Sequence, residues 1–284
     1  MRVLITGAEG QLGSQILKTL SGQYDLIPTS RRGGKRDGFV ISELDITDFE
    51  NVDFFIRNSD PQIVVNCAAL TNVDKCEENI VLAKNVNSYS VANLAKICSR
   101  RGIKLIQIST DYVFDGENPP FSEDSQKNPI QEYGKSKSVA EDIIQAESDL
   151  DWTIVRASGI FSTSHNNFLM WILESIREGK MMQIVEDQFS NPISALSVSR
   201  FISNIIENDL GGVWNIGSED SVSRFDFAMI VCQEFGENVE KISKVMMDSI
   251  NWRAKRPSNS TMNIDKIKRL YPTKKVRQMV AELA

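Results

Sequence analysis

The 284-residue chain carries 32 Lys and Arg against 38 Asp and Glu, a net charge of −6, 41% apolar residues and one histidine. This is a globular composition rather than a disordered or fibrous one, and the length suits one large α/β domain or two lobes sharing a core. The acidic balance without a basic run excludes phosphate-backbone binding as the main task, and a lone His165 excludes most zinc constellations and a histidine-based proton relay.

Met1-Arg2-Val3-Leu4-Ile5 already reads as a buried strand, so no signal peptide is expected. Apolar runs over Val3–Thr6, Asp25–Thr29, Ile63–Asn66, Lys104–Ser109 and Trp152–Arg156 predict further strands. Between them Gln11–Leu20, Phe49–Asn58, Val81–Arg101 and Glu132–Glu147 follow the helical period. Strands with no polar face, alternating with helices, imply a parallel sheet covered on both sides, the doubly wound Rossmann-type α/β class.

Beyond about residue 160 the pattern loosens. Helices are expected at Phe168–Glu178, Leu196–Asn208 and Arg224–Phe235, with a strand at Gly212–Ile216. Two short basic helical patches, Lys266–Leu270 and Lys274–Leu283, read as solvated faces. The expected division is a dinucleotide-binding domain over 1–160 and a smaller mixed α/β substrate lobe over 161–284, some of whose elements return to the first domain. No apolar run reaches the ~18–20 residues of a membrane helix. Cys67, Cys76, Cys98 and Cys232 show no CxxC spacing and read as reduced, mostly buried thiols, so the cytoplasm is the expected compartment.

Thr6-Gly7-Ala8-Glu9-Gly10-Gln11-Leu12-Gly13 follows the first strand and opens the first helix. Its three glycines suit a tight turn, close approach of backbone to a pyrophosphate, and close helix–sheet contact, while the helix N-terminus offers free N–H groups to phosphate. An acidic residue ending the second strand would accept from an adenosine ribose 2′-OH. Here Ser30, Arg31 and Arg32 stand in that place, which favours NADP(H) over NAD(H) because arginine pairs with a 2′-phosphate. Asp45-Ile46, closing a third strand, would flank the adenine.

Tyr133 and Lys137 stand at i and i+4, on one face of a helix. A phenol titrates near 10, and a neighbouring ammonium is expected to lower that value toward a proton relay. Just upstream, Ser109-Thr110-Asp111-Tyr112 leaves a strand at the carboxyl edge of the sheet, where ligands bind in open α/β folds. Thr110 would offer its hydroxyl to a substrate oxygen there, and Asn66-Cys67-Ala68-Ala69 leaves the preceding strand toward the same crevice.

TGAEGQLG, NCAALTNVDKCE, STDYVFDG, YGKSK, DQFSNPI and RPSNS, in this order over residues 1 to about 265, resemble the extended short-chain dehydrogenase/reductase family. Within it they are most similar to the branch of the dTDP-4-dehydrorhamnose reductases. The resemblance implies Thr110, Tyr133 and Lys137 as the catalytic set. It implies Gly7, Gly10, Gln11, Leu12 and Gly13 as the pyrophosphate turn, Asp45 and Ile46 as the adenine contact, and Cys67, Ala68 and Ala69 as a cofactor-facing loop that Tyr133 and Lys137 complete. Thr71, Val73, Tyr112 and Arg256 then face a nucleotide-sugar substrate whose C4 ketone NADPH would reduce. Two departures fall where sugar specificity is set. Arg156-Ala157-Ser158-Gly159 replaces the branch's Arg-Thr-Ser-Trp, and Asp187-Gln188-Phe189-Ser190-Asn191-Pro192-Ile193 replaces DQxGxPT.

Other conspicuous residues have plainer readings. His165 reads as a loop residue, Trp171 and the Phe168–Ile172 cluster as core or subunit interface, and Asp111 and Asp115 as caps on backbone groups rather than metal ligands. A homodimer fits the resemblance; no nucleic-acid or membrane partner is expected. A second reading is a non-catalytic regulatory protein of this fold, like the regulatory β subunit of methionine adenosyltransferase, against which the intact Thr110, Tyr133 and Lys137 count. A third is a sugar-nucleotide epimerase or dehydratase; the dehydratases carry Asp-Glu after the catalytic Thr, and Asp111-Tyr112 lacks the second acid.

Overall fold

The computed structural model describes residues 1–284. The strands are β1 Arg2–Thr6, β2 Asp25–Ser30, β3 Gly34–Arg36, β4 Phe39–Glu43, β5 Ile63–Asn66, β6 Lys104–Thr110, β7 Trp152–Ala157, β8 Met182–Val185, β9 Phe189–Ser190, β10 Gly212–Ile216, β11 Val222–Ser223 and β12 Ile242–Val245. The α-helices are α1 Gln11–Leu20, α2 Phe49–Ser59, α3 Val73–Glu78, α4 Ile80–Lys84, α5 Ser90–Arg101, α6 Glu132–Ala146, α7 Phe168–Arg177, α8 Ala195–Glu207, α9 Arg224–Phe235, α10 Asp265–Lys268 and α11 Val276–Ala281.

Eight strands form one sheet in the order β10-β7-β6-β5-β1-β2-β4-β3, parallel except for β3 against β4. The central strands are apolar on both faces because both are covered. Val3, Ile5, Ile63, Val65, Ile106 and Val155 point into a core with α1, α7, α8, α9 and α11. Leu4, Val64, Leu105 and Ile154, the alternate residues, point into a second core with α2, α5 and α6. The strand order runs outward in both directions from β1 and β5, and the carboxyl ends of these two strands frame the crevice expected of such a sheet.

Residues 161–284 divide between two places. β10 extends the sheet beside β7, and α8 packs on α1, whereas the pairs β9/β11 and β8/β12 lie outside the main sheet. Three sequence expectations need correction. The helix expected over Val81–Arg101 is broken by a wide π turn over Asn85–Tyr89, because the Asn87 side chain turns inward to bond both backbone groups of Leu70, and Ser88 donates to the Ser136 carbonyl. The strand placed before Asp45 stops at Glu43. The basic tail is not simply a solvated face: Ile267, Val276, Met279 and Val280 are buried in the larger core, and the Lys266 ammonium lies 4.0 Å from the centre of the Trp214 ring. No helix is long and apolar enough to cross a membrane.

Candidate active site

A cavity of about 850 Å³ opens along the carboxyl ends of the strands. At one end lies the glycine turn. Gly7 holds φ at +63°, and a Cβ there would lie 2.8 Å from the Ala68 nitrogen; one at Gly13 would run into the Gly7 carbonyl. The turn is therefore closed by backbone against backbone, which only glycine permits. Gly10 caps α1 with no side chain, so the N–H groups at the start of the helix face the cavity without a protein partner. Behind the turn, Thr6 donates to the Asn66 side chain at 2.5 Å and Asn66 to Gln107 at 2.7 Å, fixing β1, β5 and β6 in register at their carboxyl ends. Ser30, Arg31, Asp45 and Ile46 line the same end, and Arg31 has no carboxylate partner.

Midway along the cavity β6 delivers Thr110, and the first two turns of α6 deliver Tyr133 and Lys137. α6 starts where the Gln131 side chain accepts from the Gly134 N–H at 2.6 Å. Lys137, buried, donates to the Ile108 carbonyl at 2.6 Å, and burial lowers its ammonium to about 8. The Tyr133 phenol moves the other way from the expectation. Burial pushes it above its ordinary value against the pull of the Thr110 hydroxyl, and Lys137 is committed to Ile108. Tyr112 packs edge-on to Tyr133, with ring centres 6.3 Å apart, and its hydroxyl accepts from Gln188 at 3.2 Å.

The motifs meet behind this surface. Asp111 is buried and accepts from Thr110 at 3.0 Å, Ser158 at 2.9 Å and Ser260 at 2.5 Å, so one carboxyl joins β6, the end of β7 and the C-terminal segment. Burial raises its pKa even against these three donors. Asp115 accepts from the Glu117 N–H and the Asn128 side chain, a turn-capping role. The Asn191 side chain accepts from the Met262 N–H and donates to the Met262 and Ser218 carbonyls, anchoring the Asp187–Ile193 segment.

The sequence family defined by the RmlD substrate binding domain matches residues 1–284. The chain belongs to this family. Among curated relatives, the chain is 31% identical to a probable low-salt glycan biosynthesis reductase, Agl14, of Haloferax volcanii, covering 94% of this chain and 91% of that one. It is 31% identical to the dTDP-4-dehydrorhamnose reductase of Aggregatibacter actinomycetemcomitans, covering 95% and 93%. Among solved structures, the dTDP-4-dehydrorhamnose reductase of Bacillus anthracis in complex with NADP superposes with a TM-score of 0.92 at 29% identity, covering 99% and 98%.

Against this RmlD frame the residues singled out from the sequence fall mostly together. Gly7, Gly10, Gln11, Leu12, Gly13, Ser30, Arg31, Asp45, Ile46, Cys67, Ala68, Ala69, Thr71, Val73, Thr110, Tyr112, Tyr133 and Lys137 all line the one cavity. Arg32 and Arg256 do not. Arg32 is exposed outside it, and Arg256 is held by an ion pair with Asp74 at 2.8 Å and lies over the Trp252 ring. His165 is a loop residue with φ +66°, yet it reaches the site: its Nε2 lies 2.8 Å from the Glu9 carbonyl of the glycine turn. Sequence reasoning missed Gln188, Phe161, Phe168, Arg224 and Phe227, which line the cavity from the C-terminal half. Gln188 lay inside a quoted motif and Phe168 in a cluster read as core or interface; Phe161, Arg224 and Phe227 had no local signal, since only the fold brings them to the crevice.

Proposed function

We propose that the protein reduces the C4 ketone of a nucleotide-linked 4-keto-6-deoxy sugar with NADPH. The observation that carries this reading is the convergence of Thr110, Tyr133 and Lys137 in one cavity with the glycine turn, in a chain of the RmlD family. The residues fit NADP(H): the N-terminal N–H groups of α1 suit its pyrophosphate, and Arg31, unopposed by a carboxylate beside Ser30, suits a 2′-phosphate. Residues 1–160 then hold the dinucleotide, and the part of 161–284 outside the main sheet walls the sugar. The four unpaired thiols support a cytoplasmic enzyme.

When bound, NADPH supplies the hydride. The chain supplies the proton and the charge. Tyr133 Oη delivers its proton to the alkoxide oxygen developing at C4; its raised pKa keeps the phenol protonated at neutral pH, the form reduction requires. Thr110 Oγ1, beside it, turns its hydroxyl from Asp111 to the same oxygen as charge accumulates. Lys137, fixed on the Ile108 carbonyl, places a positive charge in the cavity and can hold a ribose hydroxyl. Elimination chemistry would need a second acid after Asp111, and Tyr112 occupies that place with its hydroxyl turned to Gln188.

The test is a panel of 4-keto-6-deoxy sugar nucleotides offered with NADPH and with NADH, following loss of the reduced nicotinamide. We expect oxidation of NADPH by the wild type and none by Tyr133→Phe, with NADPH affinity unchanged. Near-normal turnover in that variant would sink the assignment. Tight NADPH binding with no turnover of any sugar nucleotide would instead support the regulatory reading.

A further inference from the structure

Arg224, the first residue of α9, lines the cavity from the C-terminal lobe. Its guanidinium lies 3.8 Å from the centre of the Phe168 ring and has neither a carboxylate within ion-pair distance nor a hydrogen-bond acceptor. The other shielded cations of the molecule are all engaged: Arg156 with Glu141, Arg256 with Asp74, Lys104 with Asp151 and Asp209, and Lys137 with the Ile108 carbonyl. Burial and the neighbouring Arg256 pull the Arg224 guanidinium below its ordinary pKa, so the fold holds a charge there at a cost in stability. A costly unpaired cation facing a cavity marks a place where an anion binds. Five N–H donors in a planar fork match the oxygens of a phosphate or diphosphate better than a single point charge does.

The position fits one anion in particular. Arg224 and Tyr112 line the same cavity, and Tyr112 stands edge-on to Tyr133. In a six-membered sugar ring C1 and C4 lie at opposite corners. With C4 at Tyr133, the substituent on C1 therefore leaves the far side of the ring, away from the proton donor and toward the remainder of the cavity that Arg224 also lines. We propose that Arg224 receives the diphosphate of the nucleotide-sugar substrate, so that the enzyme selects diphosphate-linked sugars over free ones. The substrate class rests on the reductase reading above; the anion site rests on the unpaired guanidinium.

The experiment uses the full chain saturated with NADPH, so that the glycine-turn end is filled, and titrates it calorimetrically with inorganic diphosphate, dTDP and thymidine. Arg224→Ala should lose on the order of 10- to 100-fold in affinity for the two diphosphates, the loss of charge-assisted hydrogen bonds, while thymidine binds as before. Arg224→Lys, which keeps the charge without the fork, should recover part of the affinity. In turnover, KM for the sugar nucleotide should rise with kcat little changed and NADPH affinity unaffected. Equal diphosphate affinity in wild type and Arg224→Ala, an equal loss for thymidine (a packing role for the Phe168 stack), or no diphosphate binding to the wild type would each overturn the proposal. The two readings fail separately. Turnover with KM unchanged in Arg224→Ala removes the anion site and leaves the reductase; Arg224-dependent diphosphate binding without turnover of any sugar nucleotide does the reverse.

Discussion

Glu141 sits one helical turn beyond Lys137 on α6, and its replacement tests how the catalytic wall is held. Its side chain has no exposed surface; it accepts from Arg156 Nε at 3.0 Å and Nη2 at 2.8 Å and from Ser109 at 2.6 Å, with Lys127 at 3.3 Å. Burial alone would raise its pKa, but Arg156, Lys127 and Ser109 together hold it below the usual value. Glu141→Gln keeps the shape and removes the charge, leaving the 2%-exposed Arg156 guanidinium unpaired. Breaking a buried pair in this way costs about 3–5 kcal/mol, about a fifth or more of a typical total of ~5–15 kcal/mol. At ~2–4 °C per kcal/mol for a chain near this size, Tm should fall by roughly 6–20 °C in calorimetry at neutral pH. Because the folded pKa is depressed, the pair contributes above the unfolded pKa of a glutamate and is lost as pH falls through the folded value, so wild type and variant should converge in acid. Glu141 also raises the Lys137 pKa against burial, so the basic limb of kcat/KM should move below the wild-type position near 8. Replacing both partners, Glu141→Leu with Arg156→Met, should restore most of the stability. A Tm within about 2 °C of wild type in Glu141→Gln would refute the reasoning.

Three further outcomes are expected. Since burial lowers Lys137 to about 8, kcat/KM for reduction should decline as pH rises through that value, and Lys137→Arg should move the decline upward; a pH profile flat to the phenol range in wild type would contradict this. Gly13→Ala puts a methyl against the Gly7 carbonyl and 2.8 Å from the Ala8 Cα, so NADPH titration should show affinity lost even where the protein remains folded. Arg31→Glu should raise KM for NADPH at least about tenfold while leaving NADH untouched or improved, as a carboxylate repels the 2′-phosphate and accepts from a 2′-OH; equal effects on both cofactors would remove Arg31 from that role.

What was legible in the sequence follows from where the deciding contacts lie. Gln11–Leu20, Ile63–Asn66 and Arg224–Phe235 have the expected bounds, because glycine turns, apolar runs and a Ser223 cap are local signals. The break at Asn85–Tyr89 was not legible: its cause is a hydrogen-bond set with Leu70 and Ser136, distant in sequence. Of the hairpin of β3 and β4, only β4 was expected, as the strand before Asp45; β3 was missed because Gly34, Lys35 and Arg36 are all exposed and none is apolar. Val276 and Val280 were hidden among lysines whose charge suggested only solvent. At the site, i,i+4 spacing correctly put Tyr133 and Lys137 on one face, but spacing does not show that the ammonium turns to Ile108. The single histidine of the composition sits in a loop, and the reduction proposed above takes its proton from a phenol instead.

The two sequence departures at the sugar wall are physically one. Gly159 holds φ at +42°, and a Cβ on it would lie 3.2 Å from Pro192 Cβ, so residue 159 is turned against the Asp187–Ile193 segment and any side chain there is strained. The backbone ties them further: Ile193 N–H donates to the Ser158 carbonyl at 3.2 Å and Phe161 N–H to the Ile193 carbonyl at 3.0 Å. A change in one segment therefore requires a matching change in the other, and restoring an aromatic at 159 alone would push Pro192 aside. The aromatic surface of the cavity comes instead from Phe161, Phe168 and Phe227, with ring centres 5.2 and 5.8 Å apart in successive pairs through Phe227. Phe227 shares α9 with Arg224, and Phe168 carries the Arg224 stack. If the cavity takes a sugar as proposed, the facing starts of α7 and α9 are its aromatic wall, and substitutions there should change the substrate while leaving Thr110, Tyr133 and Lys137 in place.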